Sequence, residues 1–241
     1  MTMQIGVIGA GSWGTALANL LAKKGEQVTL WAFETELVQR MAESRINDLY
    51  LPDVSLSERL QFTSRIEEAT QGAEILVLVS PSQVMRSVLD QLKTSLDDDV
   101  LLVSAAKGVE NQSLLIMSEV IGQVLGGGVE QRAAYLSGPS FAREVAMEQP
   151  TAVAVASCNP QVAETIQDLF STDYFRVYTN DDVVGVEIGG ALKNVIALAT
   201  GVCDGLGFGY NARAALITRG LAEITRLGEA MGARPATFAG L

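Results

Sequence analysis

The sequence predicts an α/β chain: a doubly wound, mostly parallel sheet followed by an all-helical segment. Short β-branched runs alternate with amphipathic stretches up to about Asn180, one run is continuously apolar, and beyond Asn180 the strand signal stops. Seven runs read as strands, at residues 4–8, 27–31, 74–79, 100–104, 133–137, 151–156 and 175–179. Ile75-Leu76-Val77-Leu78-Val79 shows no polar alternation, as a central strand covered on both faces requires. After it, Ser80-Pro81 reads as a helix start for a stretch with Val84, Val88, Leu89 and Leu92 on one face. Asp97-Asp98-Asp99 and Gly126-Gly127-Gly128 read as loop tips. Asn180-Asp181-Asp182 is a helix-start cluster that opens two long helical segments, from 182 to about 201 and from 210 to about 231. The expected division is a sheet domain at 1–180 and the start of a helical domain at 181–241.

Composition narrows the chemistry. The 241 residues carry 17 basic and 28 acidic side chains, a net charge of −11, and no basic run longer than Lys23-Lys24, so a nucleic acid is not an expected partner. No apolar run approaches the roughly 18 uninterrupted residues of a membrane span, and the N-terminal apolar stretch is broken by glycines, unlike a targeting signal. Histidine is absent, which removes Ser-His-Asp triads, imidazole acid/base chemistry and His-containing metal sites. Cys158 and Cys203 lack CxxC spacing and read as two reduced thiols of a cytoplasmic protein, with no metal site.

Gly9-Ala10-Gly11-Ser12-Trp13-Gly14 fits GxGxxG, follows the first strand and opens a helix bearing Ala16, Leu17, Leu20 and Leu21. In that context Gly9 serves the tight turn, Gly11 the approach of a pyrophosphate, and Gly14 the packing of helix on strand, which makes 1–180 a Rossmann-type dinucleotide domain. Glu34 lies 20 residues beyond Gly14, just past the second strand. An acid there either accepts hydrogen bonds from the adenine ribose of NAD or is ordinary helix-start charge. No Arg stands between Gly25 and Glu34 to take a 2′-phosphate, which favours NAD over NADP.

Three further positions stand out. Lys107, after the fourth predicted strand, either lines the crevice at the strand ends or is a solvated loop charge. Ser137-Gly138-Pro139-Ser140 either presents backbone donors and the Ser140 hydroxyl to a ligand or is a plain Gly-Pro turn. Lys193 interrupts an almost uncharged helix, with Gly189, Ala197 and Thr200 leaving room beside its amine. It is either an acid/base whose pKa is lowered by desolvation, or a snorkelling or paired lysine. Asp204, 11 positions on, would orient Lys193 or cap the helix.

With those residues placed, the sequence resembles bacterial-type NAD(P)-dependent glycerol-3-phosphate dehydrogenases over essentially its whole length. The blocks that carry the likeness are GAGSWGTALA at 9–18, the segment 47–52, Ala106-Lys107-Gly108, SGPSFAREVA at 137–146, FRVYTNDD at 175–182, GVEIGGALKNVIALATGVCDGLG at 185–207 and NARAALITRGLAEITRLG at 211–228. The resemblance implies reversible hydride transfer between NAD(P)H and dihydroxyacetone phosphate, giving sn-glycerol 3-phosphate for phospholipid synthesis. It implies Lys193 as proton donor and acceptor, Lys107, Gly138 and Ser140 as substrate contacts, and Ser12, Trp13, Phe33, Lys107 and Ala142 as cofactor contacts. Phe33 stands where many relatives carry a basic or imidazole side chain, so a preference for NADP does not carry over. The family pattern continues past Phe238-Ala239-Gly240-Leu241 with an Asp and a Ser-Arg-Asn block that bind substrate phosphate and cofactor. The expectation is therefore a truncated helical domain with weakened phosphate binding and exposed apolar helix faces. The alternatives are a nucleotide-binding fragment with little turnover and a related two-domain hydroxy-acid dehydrogenase. A homodimer is left open.

Overall fold

In the computed structural model, which describes residues 2–240, eight strands form one sheet. They are β1 (Gln4–Ile8), β2 (Gln27–Trp31), β3 (Leu60–Thr63), β4 (Ile75–Leu78), β5 (Leu101–Ser104), β6 (Ala133–Ser137), β7 (Thr151–Ala156) and β8 (Phe175–Asn180), in the order β3-β2-β1-β4-β5-β6-β7-β8. All neighbours are parallel except β6 and β7, which pair antiparallel with Leu136 opposite Val155. The sheet grows in one direction to β3 and then in the other from β4, so a crevice opens at the carboxyl ends of β1 and β4.

Both faces of the sheet are covered. Ile5, Val7, Ile75 and Val77 enter one core with Leu17 and Leu21 of α1 (Ser12–Lys24), Leu37 and Met41 of α2 (Thr35–Ser44) and Ile166 of α7 (Pro160–Phe170). Ile8, Leu76 and Leu78 enter the other with Ile66 of α3 (Ile66–Thr70), Met85 and Leu89 of α4 (Ser82–Leu92) and Val120 of α5 (Met117–Leu125). Each such side chain contributes about 2 kcal/mol when fully buried, which is why β4 is apolar at every position. The short helix α6 (Ala142–Ala146) packs on α1.

The structure corrects the sequence reading in several places. β3 is an additional edge strand, four residues long, in which Gln61 is exposed between Leu60 and Phe62. Lys107 therefore follows the fifth strand and Gly138 the sixth. Ser80 does not cap α4; its hydroxyl donates to the Ile8 carbonyl at 3.2 Å, and Pro81 holds the N-cap position. On α4, Met85 faces the core and Val84 is exposed, because Met85 stands at i, i+3, i+4, i+7 spacing with the buried Val88, Leu89 and Leu92.

Beyond β8 come α8 (Val183–Gly205), α9 (Tyr210–Ala230) and α10 (Pro235–Ala239). The amino half of α8 packs on β6 and β7, and α9 packs along α8 with Ile196 seated over Gly220. By length and composition α8 alone among the described helices reaches what a membrane crossing needs, with a mean hydropathy of 1.4 over its most apolar window. The helix docks on the sheet and is interrupted by Glu187, Lys193 and Asp204, so it is not an uninterrupted apolar run. Its outer side leaves Val195, Leu198, Val202 and Leu206 exposed, as the resemblance implied. Leu241 of the expected helical segment lies outside the described residues.

Candidate active site

The turn after β1 is tight and open to solvent on one side. Gly9 has φ 122°, a conformation that favours glycine, and a Cβ on Gly14 would stand 1.9 Å from the Gly9 carbonyl oxygen, so α1 presses directly on the turn. Gly11 holds the N-cap of α1 and is exposed, and a Cβ there would meet nothing within 4 Å. The open space over Gly11 and Ser12, at the positive end of a 13-residue helix, fits the pyrophosphate of a dinucleotide. Asn47, fully buried, holds the turn from the far side: its amide donates to the Ala10 carbonyl at 2.9 Å and to Thr15 Oγ1 at 2.8 Å.

Glu34 stands at the N-cap of α2 beyond the end of β2, yet its side chain caps nothing there. Instead Glu34 Oε1 accepts from the Tyr50 hydroxyl at 2.7 Å, a bond that raises the Tyr50 pKa. Phe33 beside it is 81% exposed. Ala142 is the first residue of α6 and packs against the core beneath α1.

Lys107 joins the glycine turn to the turn after β6. Its amine lies 5.2 Å from the centroid of the Trp13 ring, and it donates to the Gly138 carbonyl at 3.2 Å and to Ser140 Oγ at 3.0 Å. Burial, reinforced by the nearby charge of Lys193, pushes the Lys107 pKa down to about 8. Gly138 makes this turn with φ 151°, and a Cβ there would lie 2.9 Å from Val153 Cα. Trp13 rests against Phe175 with ring centroids 6.4 Å apart, and its indole N–H is buried without a partner.

Lys193 lines a cleft of about 300 Å³ between that turn and the helices, together with Gly138, Gly190, Leu221 and Phe238. The residue is half-buried, and among the described residues it forms no ion pair, so it is not the buried pair that the sequence left open. Asp204 does not orient it: α8 does run past Gly201, but the Asp204 carboxylate is bound by Arg213.

Two wall-builders escaped the sequence reading. Phe238 fills the space left by Gly228, where a Cβ would stand 2.3 Å from its ring, and closes one side of the Lys193 cleft. Asp182 holds it there, accepting from Arg234 N at 2.8 Å and Thr237 Oγ1 at 2.5 Å. Neither Gly228 nor Asp182 signals this locally, because both partners arrive from about 50 residues away or across a helix pair.

A glycine turn at the strand-order reversal, an acid past the second strand, a lysine past the fifth and a second lysine on the adjoining helix define a dinucleotide-dependent oxidoreductase. Residues 4–163 match the family model described as NAD-dependent glycerol-3-phosphate dehydrogenase N-terminus, and residues 182–241 match its C-terminus counterpart. A glycerol-3-phosphate dehydrogenase [NAD(P)+] from Geobacter metallireducens is 64% identical over all of this chain and 72% of its own length. One from Syntrophotalea carbinolica is 62% identical over 99% of this chain and 72% of its own length. The crystal structure of the Coxiella burnetii glycerol-3-phosphate dehydrogenase superimposes with a TM-score of 0.93 at 40% identity, covering 100% of this chain and 73% of that one. The chain belongs to the NAD-dependent glycerol-3-phosphate dehydrogenase family.

Proposed function

We propose that, within the family's NAD(P)-dependent interconversion of dihydroxyacetone phosphate and glycerol 3-phosphate, Lys193 exchanges the proton and Lys107 with Gly138 and Ser140 holds the substrate. The observation that carries this is the Lys193 amine in the cleft beside Gly138, close enough to Lys107 for the two charges to interact. When bound, the dinucleotide supplies the hydride for the carbonyl carbon or takes it back. Lys193 gives a proton to the carbonyl oxygen as that oxygen gains charge, and recovers it from the hydroxyl in reverse. Lys107, fixed by the Gly138 carbonyl and Ser140, keeps a second cation beside an anionic substrate.

On the cofactor side, Gly9, Gly11, Ser12 and Gly14 take the diphosphate, while Trp13, Phe33 and Ala142 form the walls. Glu34, at the end of β2 and oriented by Tyr50, accepts from ribose hydroxyls, which supports a preference for NAD. The sheet portion, 1–180, is the cofactor domain and the helical portion from 181 the substrate domain, a division supported by the change from β8 to α8 around Asp182. Free thiols at Cys158 and Cys203 support a reducing, cytoplasmic setting.

Lys193→Ala tests the assignment. Reduction of dihydroxyacetone phosphate by NADH should fall by about a thousandfold while NADH affinity stays within a few fold. Turnover near the native rate would reject Lys193 as the proton carrier.

A further inference from the structure

Helix α5 starts without a capping side chain of its own. Its N-cap residue is Ile116, which carries no acceptor, and Glu119 reaches back only to the Ile116 N–H at 3.1 Å. The Ser118 N–H is taken by a residue 69 positions further on, with Glu187 Oε1 at 3.0 Å and Oε2 at 3.3 Å. The cap of α5 is therefore supplied by α8.

Three residues beyond Glu187, α8 is held a second time. A Cβ on Gly190 would stand 2.1 Å from Ser137 Oγ, so the helix backbone lies directly on the end of β6. Three residues further again is Lys193. Positions 187, 190 and 193 form one i, i+3, i+6 ridge that winds around α8 over about 9 Å. A helix pinned at one point is free to turn about it, whereas pins at two successive ridge positions fix both rotation and height of the third. We propose that Glu187 is a positioning residue, whose carboxylate at the start of α5 sets the rotation of α8 and hence the place of the Lys193 amine in the cleft. The proposal rests on the reading of Lys193 given above.

The energetics argue against a merely stabilising role. The Glu187 carboxylate is enclosed between α5 and β6, where the titratable groups facing it are Glu119 and Tyr135. Burial, with a smaller push from Glu119 and against the pull of the Ser118 and Met117 bonds, raises its pKa to about 7. Between the ordinary value of 4.5 and about 7 the folded chain keeps a proton that the unfolded chain releases, so this group lowers stability as pH rises through that window. A neutral side chain would serve the fold better there.

The test compares Glu187→Gln, which removes the charge, with Ser118→Ala, which leaves the backbone N–H in place and removes only the bond that the Ser118 hydroxyl adds to the Glu187 carboxylate. Each lysine is labelled by reductive methylation and mapped by mass, with exposed Lys93 as reference, alongside thermal unfolding and steady-state kinetics with NADH and dihydroxyacetone phosphate. In Glu187→Gln the Lys193 labelling rate should change by about threefold or more relative to Lys93, and kcat should fall about tenfold at unchanged KM for NADH. Its melting temperature at pH 8 should hold or rise. A smaller shift at Lys193 in the same sense is expected for Ser118→Ala, which decides the matter should Glu187→Gln not fold. Native labelling of Lys193 in both variants, or a parallel rise at Lys93 that signals general loosening, would overturn the proposal. Should Lys193→Ala keep its turnover while Lys193 labelling still shifts in Glu187→Gln, the catalytic reading falls and the positioning stands.

Discussion

At the scale of single residues, the informative contrast is between the two lysines. In the sequence Lys193 stands out because its helix is nearly uncharged, while Lys107 either lines the crevice or is a solvated loop charge; the fold encloses Lys107. Lys107 is the buried amine, because the carbonyl of Gly138 and the Ser140 hydroxyl from one turn and the Trp13 ring from another close around it. Its pKa falls from 10.5 to about 8, so between those values the folded chain binds fewer protons than the unfolded one and stability from this group rises with pH. Below about pH 8 the buried charge is a standing cost to the fold. Lys107→Met should therefore stabilise the chain at pH 7 by up to about 2 kcal/mol, a gain that shrinks as pH climbs towards 10.5. The same variant should raise KM for dihydroxyacetone phosphate about tenfold, and in the native enzyme that KM should climb above pH 8 as the ammonium is lost. Denaturation at pH 7 and 10, with KM measured across the same range, checks both signs.

At the scale of elements, most of the sheet was legible because buried parallel strands must be apolar throughout; β4 shows it at all four positions. β3 was not, since an edge strand needs only Leu60 and Thr63 inward and tolerates Gln61 outward. Asp182 shows a different limit. Its place as helix cap of α8 was legible from Asn180-Asp181-Asp182, and its Oδ1 does accept from Gly185 N at 2.9 Å. Its second oxygen, which ties α10 to the start of α8, depends on residues more than 50 positions away. Burial pushes this carboxyl up, but the bonds from Thr237, Arg234 and Gly185 outweigh it and hold the pKa below the ordinary value. Its contribution is thus present above the ordinary carboxylate range and lost as pH falls through the depressed value. Asp182→Ala should cost about 3 kcal/mol at neutral pH, with the deficit narrowing in acid, and should loosen Phe238 from the cleft. Urea denaturation at pH 7 and pH 3, set beside the native chain, measures it; equal deficits at both would show that the carboxylate charge is not what matters.

At the scale of the whole molecule, the reach of the sequence was set by how far apart interacting residues stand. The glycine turn was readable because the turn and the start of its helix lie within Gly9–Gly14, and its support by Asn47 was not, because a buried asparagine looks like any loop residue until the fold brings it to the Ala10 carbonyl. The outer side of α8 is another case that only the structure locates, since the resemblance implied exposed apolar helix faces without naming residues. Val195, Leu198, Val202 and Leu206 recur at helical spacing and are 60%, 73%, 61% and 64% exposed, forming a single apolar stripe. Water around such a stripe favours contact with any other apolar surface, and the identical stripe on a second copy is always at hand. This chain should therefore sediment as a concentration-dependent mixture and bind an apolar dye. Leu198→Glu with Val202→Glu should abolish both while changing unfolding free energy by less than about 1 kcal/mol, because neither side chain belongs to a core. A single monomeric boundary for the unmodified chain at every concentration would show that the stripe does not drive association.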